Sequence, residues 1–112
     1  MLCEGGTGFA QLVARLAQER LSIAVHAVAS AAAAFDLTRA YGTQREAFGQ
    51  PIGTFQHNGF TLAEMSTEID IGQSYVDQQV LALNDGTLTA EDAARAKWWC
   101  TEMSWRVLDR CL

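Results

Sequence analysis

Apolar residues recur at helical spacing along three stretches of this chain. Intervals of three and four residues place side chains on one face of a helix. The first stretch carries Phe9, Leu12, Val13, Leu16, Ile23, Ala24, Ala27 and Ala31, the second Phe55, Phe60, Ala63, Ile69, Val76, Val80 and Leu83, and the third Ala93, Ala96, Cys100, Met103, Val107 and Cys111. The pattern predicts three amphipathic helices and an all-α fold.

Two interruptions separate the predicted helices. Pro51 lies within the loop 48–53, where it removes a backbone donor and disfavours helix at the residue before it. The run Asn-Asp-Gly at 84–86 is a turn signal, and Thr89 with Asp92 forms a capping box. With Thr7 as the first N-cap, the predicted helices span about residues 7–47, 54–84 and 89–112.

Helices of this length predict a bundle that is not yet closed. The first helix would be about 60 Å long at 1.5 Å per residue. Three long antiparallel helices leave a groove, lined by the first and third, where a fourth could pack. We therefore expect one domain, 1–112, shaped as an incomplete up-down four-helix bundle and forming part of something larger. We also expect the isolated chain to self-associate through this groove, most simply as a two-fold dimer.

Composition narrows the function classes. A hydrophobic content of 49% with a single proline favours a packed domain, and a net charge of −5 without a basic run argues against nucleic acid as a partner. The Ala-rich apolar run 24–35 is too short to predict a membrane span, and we expect no signal peptide in the first residues. Three cysteines without metal-type spacing predict no metal site and a reducing, cytoplasmic location.

Glu19 is the one carboxylate set into the apolar stripe of the first helix. A carboxylate held against apolar surface is a stronger base, which suits proton removal from a weakly acidic C–H group. The alternative is a solvated Glu19 paired with Arg15 or Arg20, and periodicity alone favours that interpretation. His26 follows on nearly the same face, but a single histidine is more often a core residue than a catalytic one.

Several runs resemble one known family over essentially the whole chain. They are LAQERLSIA at 16–24, TRAY at 38–41, QREAFGQPIG at 44–53 followed by FQ, ARAKWW at 94–99 and RCL at 110–112. The central run resembles the signature R-x-x-F-G-x-x-[IL]-x-x-x-Q of acyl-CoA dehydrogenases. The chain is thus similar to the C-terminal helical domain of that family, nearest to the long-chain and isovaleryl-type branches, and we expect the N-terminal helical and middle β-domains to be absent from it.

The resemblance implies a chemistry. Enzymes of this family oxidise an acyl-CoA to a trans-2-enoyl-CoA, with FAD taking a hydride from the β-carbon while a carboxylate removes a proton from the α-carbon. In the long-chain and isovaleryl branches this base lies on the first helix, at the position that Glu19 matches, and Arg20 matches a residue of the acyl-CoA site. The resemblance also implies a homotetramer, FAD that reaches a neighbouring subunit, and reoxidation by an electron-transferring flavoprotein.

Arg45, Phe48 and Gln56 match positions that contact FAD in the family. A guanidinium suits pyrophosphate, an aromatic ring can pack on a cofactor ring, and an amide can bind adenine or ribose. Without the motif, these residues would be interpreted as a surface arginine, a loop anchor and a solvated glutamine. Two other classes stay open, namely a non-catalytic helical interaction module and a dehydrogenase-like subunit that has lost its activity. In either case we expect the 112-residue chain alone to be inactive and free of flavin.

Overall fold

Three helices packed side by side form the body of the molecule. The computed structural model describes residues 4–112. In chain order the elements are helix α1 (Gly8–Gln44), strand β1 (Glu46–Ala47), strand β2 (Gln50–Pro51), a 3-10 turn (Ile52–Thr54), helix α2 (Gln56–Asn84) and helix α3 (Ala90–Arg110). They form an elongated body of 70 × 24 × 18 Å. The predicted all-α fold, an incomplete up-down bundle, is confirmed.

Ion pairs between α2 and α3 show that these helices run antiparallel. Arg106 donates from Nε and Nη2 to Oε2 of Glu68 at 3.0 and 2.8 Å, and Arg110 binds Glu64 one turn away. The guanidinium of Arg106 also lies 5.9 Å from the centre of the Trp99 ring. The hydrogen bond to Glu64 raises the pKa of Arg110. These exposed contacts fix the register of the two helices more than they add stability.

The core lies where small residues bring α1 and α3 close together. Every apolar residue predicted for the stripe of α3 is buried except Cys111, which is half-buried. The buried core residues are Leu21, Ala24, Ala27, Val28, Ala31, Met65, Ile69, Val76, Ala96, Cys100, Met103 and Val107. Burial raises the pKa of the Cys100 thiol, which keeps it protonated. Cys3 lies outside the described residues.

The N-terminal half of α1 does not pack as predicted. Phe9 is 80% exposed and Leu12 66%, and the first buried residue of the helix is Leu21. Val13, Leu16 and Ile23 are exposed as well. The buried positions 21, 24, 28 and 31 follow helical spacing, but they lie on the side of α1 opposite Glu19. The residues predicted to form one stripe thus lie on two apolar faces of α1, and only one of these faces packs on α2 and α3.

Helix α1 also meets a simple criterion for a membrane span. One 18-residue window within Gly8–Gln44 has a mean hydropathy of 1.5, although only 28% of that window is buried. Core helices of soluble proteins pass the same test. Leu21, Ala24, Val28 and Ala31 form the packed face of this helix against its two neighbours. We therefore describe α1 as a packed bundle helix with one uncovered face.

The connection between α1 and α2 is a hairpin that the sequence pattern did not predict. Helix α1 ends at Gln44, three residues before the predicted end, and Glu46 and Ala47 pair with Pro51 and Gln50. The two-residue loop, Phe48 and Gly49, has φ values of +53° and +82°. Positive φ at both loop positions is the geometry of a type I′ hairpin. Four paired residues are too few to show strand periodicity, which explains the missed element.

The other helix ends follow their sequence signals closely. Thr89 accepts a hydrogen bond from the Asp92 amide at 3.1 Å, so the predicted N-cap is confirmed. The Asp92 carboxylate accepts from the Thr89 hydroxyl at 2.8 Å, whereas a full capping box would pair it with the Thr89 backbone amide. Gly86 has φ of +71° after α2, as expected for a left-handed cap. Thr7 occupies the N-cap position of α1, but its hydroxyl donates to the Glu4 carbonyl and does not cap the helix.

Two glycines allow the hairpin segment to rest directly on α1. A methyl group built on Gly53 would lie 3.1 Å from the carbonyl oxygen of Gly42, whereas one built on Gly42 would lie 3.6 Å from the Gly53 Cα. The first distance is tighter than most such contacts, so the backbone would have to shift by a few tenths of an ångström, whereas the second is an ordinary contact. Close packing therefore favours glycine at position 53 more than at position 42.

We expect Gly53→Ala to lower the free energy of unfolding by about 1–3 kcal/mol, as overpacked sites do. The matched variant Gly42→Ala should be neutral or stabilising by up to ~1 kcal/mol, because it replaces a glycine inside a helix. Urea unfolding followed by circular dichroism measures both. Equal effects of the two variants would contradict the close contact between the hairpin segment and α1.

Candidate functional site

Glu19 lies on the uncovered side of α1, about half a turn around the helix from the buried face. Its side chain is exposed, and its neighbours along this side include Leu16 and Ile23, which are 39% and 43% exposed. Among the described residues, no cation lies within salt-bridge distance of Glu19, so the predicted pairing with Arg15 or Arg20 does not form. The expected apolar surroundings are present, but the expected burial is not.

Arg20 lies next to Glu19 and is half-buried beside the packed face of α1. Its neighbour in sequence, Leu21, is the first core residue of the helix. Arg20 takes part in no salt bridge within the part of the chain that is described. Its guanidinium thus remains available to an anionic group that approaches this end of the bundle.

The three residues predicted to bind FAD gather at the other end of α1. Arg45 caps the helix, and its carbonyl accepts a hydrogen bond from the Ile52 amide at 2.8 Å, which fixes the base of the hairpin. Phe48 stands at the hairpin tip, and Gln56 is the first residue of α2. Because β1 and β2 close the chain back on itself, residues eleven positions apart reach one surface.

Phe48 has an unusual combination of properties. Its ring is 97% exposed while its backbone is in the left-handed region, which costs free energy for a residue other than glycine. Only Phe55 contacts the ring among the aromatic side chains described, edge to face at 6.4 Å between centroids. An exposed aromatic ring on a strained turn is typical of a binding residue.

The structure separates the predicted residues into two groups. Glu19 and Arg20 lie in the N-terminal half of α1, and Arg45, Phe48 and Gln56 lie beyond its C-terminal end. The 26 residues from 19 to 45 correspond to about 40 Å along the helix axis. The two groups of one chain therefore do not form one site.

The sequence reasoning missed some features near each group. His26, expected as a core residue, is exposed and lies 3.4 Å from the hydroxyl of Ser30 through its Nε2 atom. At the hairpin end, a crevice of about 210 Å³ opens between the helices and is lined by Tyr41, Ile52 and Met65 among others. The spacing of four residues between His26 and Ser30 places both side chains on one helix face and could have predicted their contact. The crevice depends on the hairpin and had no signal in the sequence.

Two of the three tryptophans of α3 are exposed. Trp98 is 66% exposed and Trp105 73% exposed, whereas Trp99 is half-buried under Arg106. In the described residues no group of three or more metal-binding side chains comes together.

Comparison with known proteins identifies relatives along the whole chain. The family described as acyl-CoA dehydrogenase, C-terminal domain, matches residues 6–112. A probable acyl-CoA dehydrogenase of Bacillus subtilis is 37% identical over 94% of this chain and 28% of its own length. The mitochondrial long-chain specific acyl-CoA dehydrogenase of Rattus norvegicus is 34% identical over 100% of this chain and 26% of its own length.

Solved structures agree with this result. The acyl-CoA dehydrogenase of Geobacillus kaustophilus superposes with a TM-score of 0.92 at 42% identity, covering 96% of this chain and 28% of that one. A probable acyl-CoA dehydrogenase of Mycobacterium abscessus gives a TM-score of 0.89 at 30% identity, covering 94% of this chain and 28% of that one. The chain thus spans between a quarter and a third of the length of these relatives, and it belongs to the acyl-CoA dehydrogenase family as a C-terminal domain.

Proposed function

We propose that this chain works as the C-terminal domain of an FAD-dependent dehydrogenase that oxidises an acyl-CoA to a trans-2-enoyl-CoA. The observation that carries the proposal is Glu19, an exposed carboxylate without an ion pair among the described residues, set between apolar side chains in a chain of this family. In the proposed reaction Glu19 accepts the proton from the α-carbon. Arg20, next to it, binds the acyl-CoA.

The residues at the hairpin fit FAD. Arg45 presents a free guanidinium to phosphate, Phe48 presents a nearly fully exposed ring, and Gln56 presents an exposed amide at the start of α2. When bound, FAD would accept the hydride from the β-carbon. The contribution of this chain is to hold one end of the cofactor and to exclude water from it with the ring of Phe48.

The separation of the two groups supports a homo-oligomer. Since Glu19 and Arg45 of one chain lie about 40 Å apart along α1, each would serve a different cofactor molecule. A complete site then combines Glu19 of one chain with Arg45 of another. This arrangement supports the proposed tetramer, and an electron-transferring flavoprotein is the proposed partner that removes electrons from FAD.

We expect Glu19→Gln in the full-length protein to retain FAD and acyl-CoA binding but to lower kcat by at least about a hundredfold, because an amide cannot accept the proton. Glu102→Gln on the exposed surface of α3 is the matched control and should leave turnover unchanged. Stopped-flow reduction of the flavin by acyl-CoA measures the step directly. Normal turnover of Glu19→Gln would mean that another carboxylate is the base.

We expect Arg45→Ala to weaken FAD binding in the full-length protein by about tenfold or more, because it removes a charge-assisted contact to phosphate. Arg39→Ala is the control, since Arg39 is an exposed arginine near the same end of α1 whose partner is Asp36 at 3.8 Å. The ratio of flavin to protein absorbance after dialysis reports the result. Full flavin occupancy of Arg45→Ala would contradict the proposed contact, and a wild-type protein without flavin would favour a non-catalytic subunit or interaction module.

We expect the isolated 112-residue chain to be helical, colourless and dimeric, because exposed apolar side chains lie on both α1 and α3. Leu37 is 74% exposed and Trp105 73%, and apolar patches of this kind favour association. Light scattering at micromolar concentration measures the mass. Trp105→Gln should weaken the dimer, whereas Leu81→Gln on α2 should not. A monomeric wild-type chain would show that these side chains are not an interface.

A further inference from the structure

The uncovered side of α1 forms a continuous row of side chains centred on Glu19. At about 100° per residue, positions within roughly 40° of Glu19 fall on one line along the helix. This Glu19 row consists of Leu12, Arg15, Glu19, Ile23, His26, Ser30, Ala33, Leu37 and Tyr41. None of its members is buried, because α2 and α3 pack on the opposite side. The row is therefore the surface that α1 offers to a substrate.

Charge divides the Glu19 row into two parts. Arg15 lies one turn before Glu19 in the row, and Arg20 lies beside Glu19. The uncharged run that follows them, 21–35, is longer than the uncharged run that precedes them, 5–14. An acyl-CoA is charged in the same uneven way, with phosphates at the CoA end and an apolar chain at the other. Charge complementarity therefore directs the CoA toward Arg15 and the acyl chain over Ile23.

One polar pair interrupts the apolar part of the row. The imidazole of His26 and the hydroxyl of Ser30 lie 3.4 Å apart, and they follow Glu19 by seven and eleven residues. The distance from Glu19 to His26 is thus about 10 Å along the helix. Methylene groups pressed against this pair would remove its water without replacing the lost hydrogen bonds, which is unfavourable.

We propose that His26, held by Ser30, limits the length of the saturated acyl chain that this enzyme accepts. Chains that end between Glu19 and His26 contact Ile23 and leave the pair in water, while longer chains cover the pair. His26 is thus a specificity-determining residue, and the substrate class is acyl-CoA whose chain ends before it reaches His26, which excludes long saturated chains. This inference rests on the proposed function, because it requires the reacting α-carbon to lie at Glu19.

The test is the chain-length profile of the full-length protein. The ratio of kcat/KM for a sixteen-carbon acyl-CoA to that for a four-carbon acyl-CoA is measured in wild type, His26→Leu and Ser30→Ala. His26→Leu should raise this ratio by about tenfold or more, since each newly buried methylene contributes about a factor of four. Ser30→Ala should raise it less. Gln73→Leu, an exposed polar residue on α2, is the control and should leave it unchanged.

The outcomes separate this inference from the function on which it rests. An unchanged ratio in His26→Leu, with Glu19→Gln inactive, overturns the inference and leaves the proposed base in place. A ratio that falls in Leu12→Gln but not in His26→Leu shows that the chain runs the other way along the row, and it also overturns the inference. Activity retained in Glu19→Gln overturns the proposed function instead. Flavin content and circular dichroism of each variant confirm that it has folded.

Discussion

The close contact between α1 and α3 is the interaction on which the rest of the structure depends. Alanines on α1, at 24, 27 and 31, share one buried cluster with the small residues Ala96 and Cys100 of α3. Because small side chains let the two backbones approach, one side of α1 is enough to hold the helix in the bundle. The opposite side is left free along the full length of the helix, and that side carries Glu19. The packing of α1 thus determines which of its side chains stay accessible.

A second contact fixes the far end of the same helix. Gly42 and Gly53 touch through their backbones, and the hairpin that follows α1 is held against the helix by this contact. Phe48 can therefore remain on a strained turn with its ring exposed. A rigid helix of 37 residues joins this hairpin to Glu19, so the spacing between the two functional groups is set by the length of α1 alone.

The sequence predicts those parts of the fold in which the residues fit only one packed helix face and only one helix start. In α3 a single face is apolar and an N-cap threonine marks its start, so its core residues and first turn follow directly from the pattern. In α1 alanines and larger apolar residues occupy several faces, and which face packs depends on α2 and α3, so the burial of Leu12, Leu16 and Glu19 could not be decided locally. Gly72 in α2 is similar. From the sequence, a glycine inside a helix indicates only a local loss of helix stability, whereas the structure shows that Gly72 makes room for Met103, Trp99 and Val28.

The candidate site residues were identified by their resemblance to a known family, and the structure then gave their positions and exposure. Periodicity alone favoured a solvated Glu19, and the motif around Arg45 and Phe48 was needed to suggest an enzymatic role.

The most direct test of the account is complementation between subunits. Glu19→Gln and Arg45→Ala chains of the full-length protein are co-expressed in equal amounts, and acyl-CoA dehydrogenase activity is measured in the mixed oligomers. The assay uses an FAD concentration at which the Arg45→Ala protein alone holds no flavin. If Glu19 of one chain and Arg45 of another complete one site, random two-fold pairing then restores about a quarter of wild-type activity from two inactive parents. Activity no higher than the mean of the two parents would contradict the account.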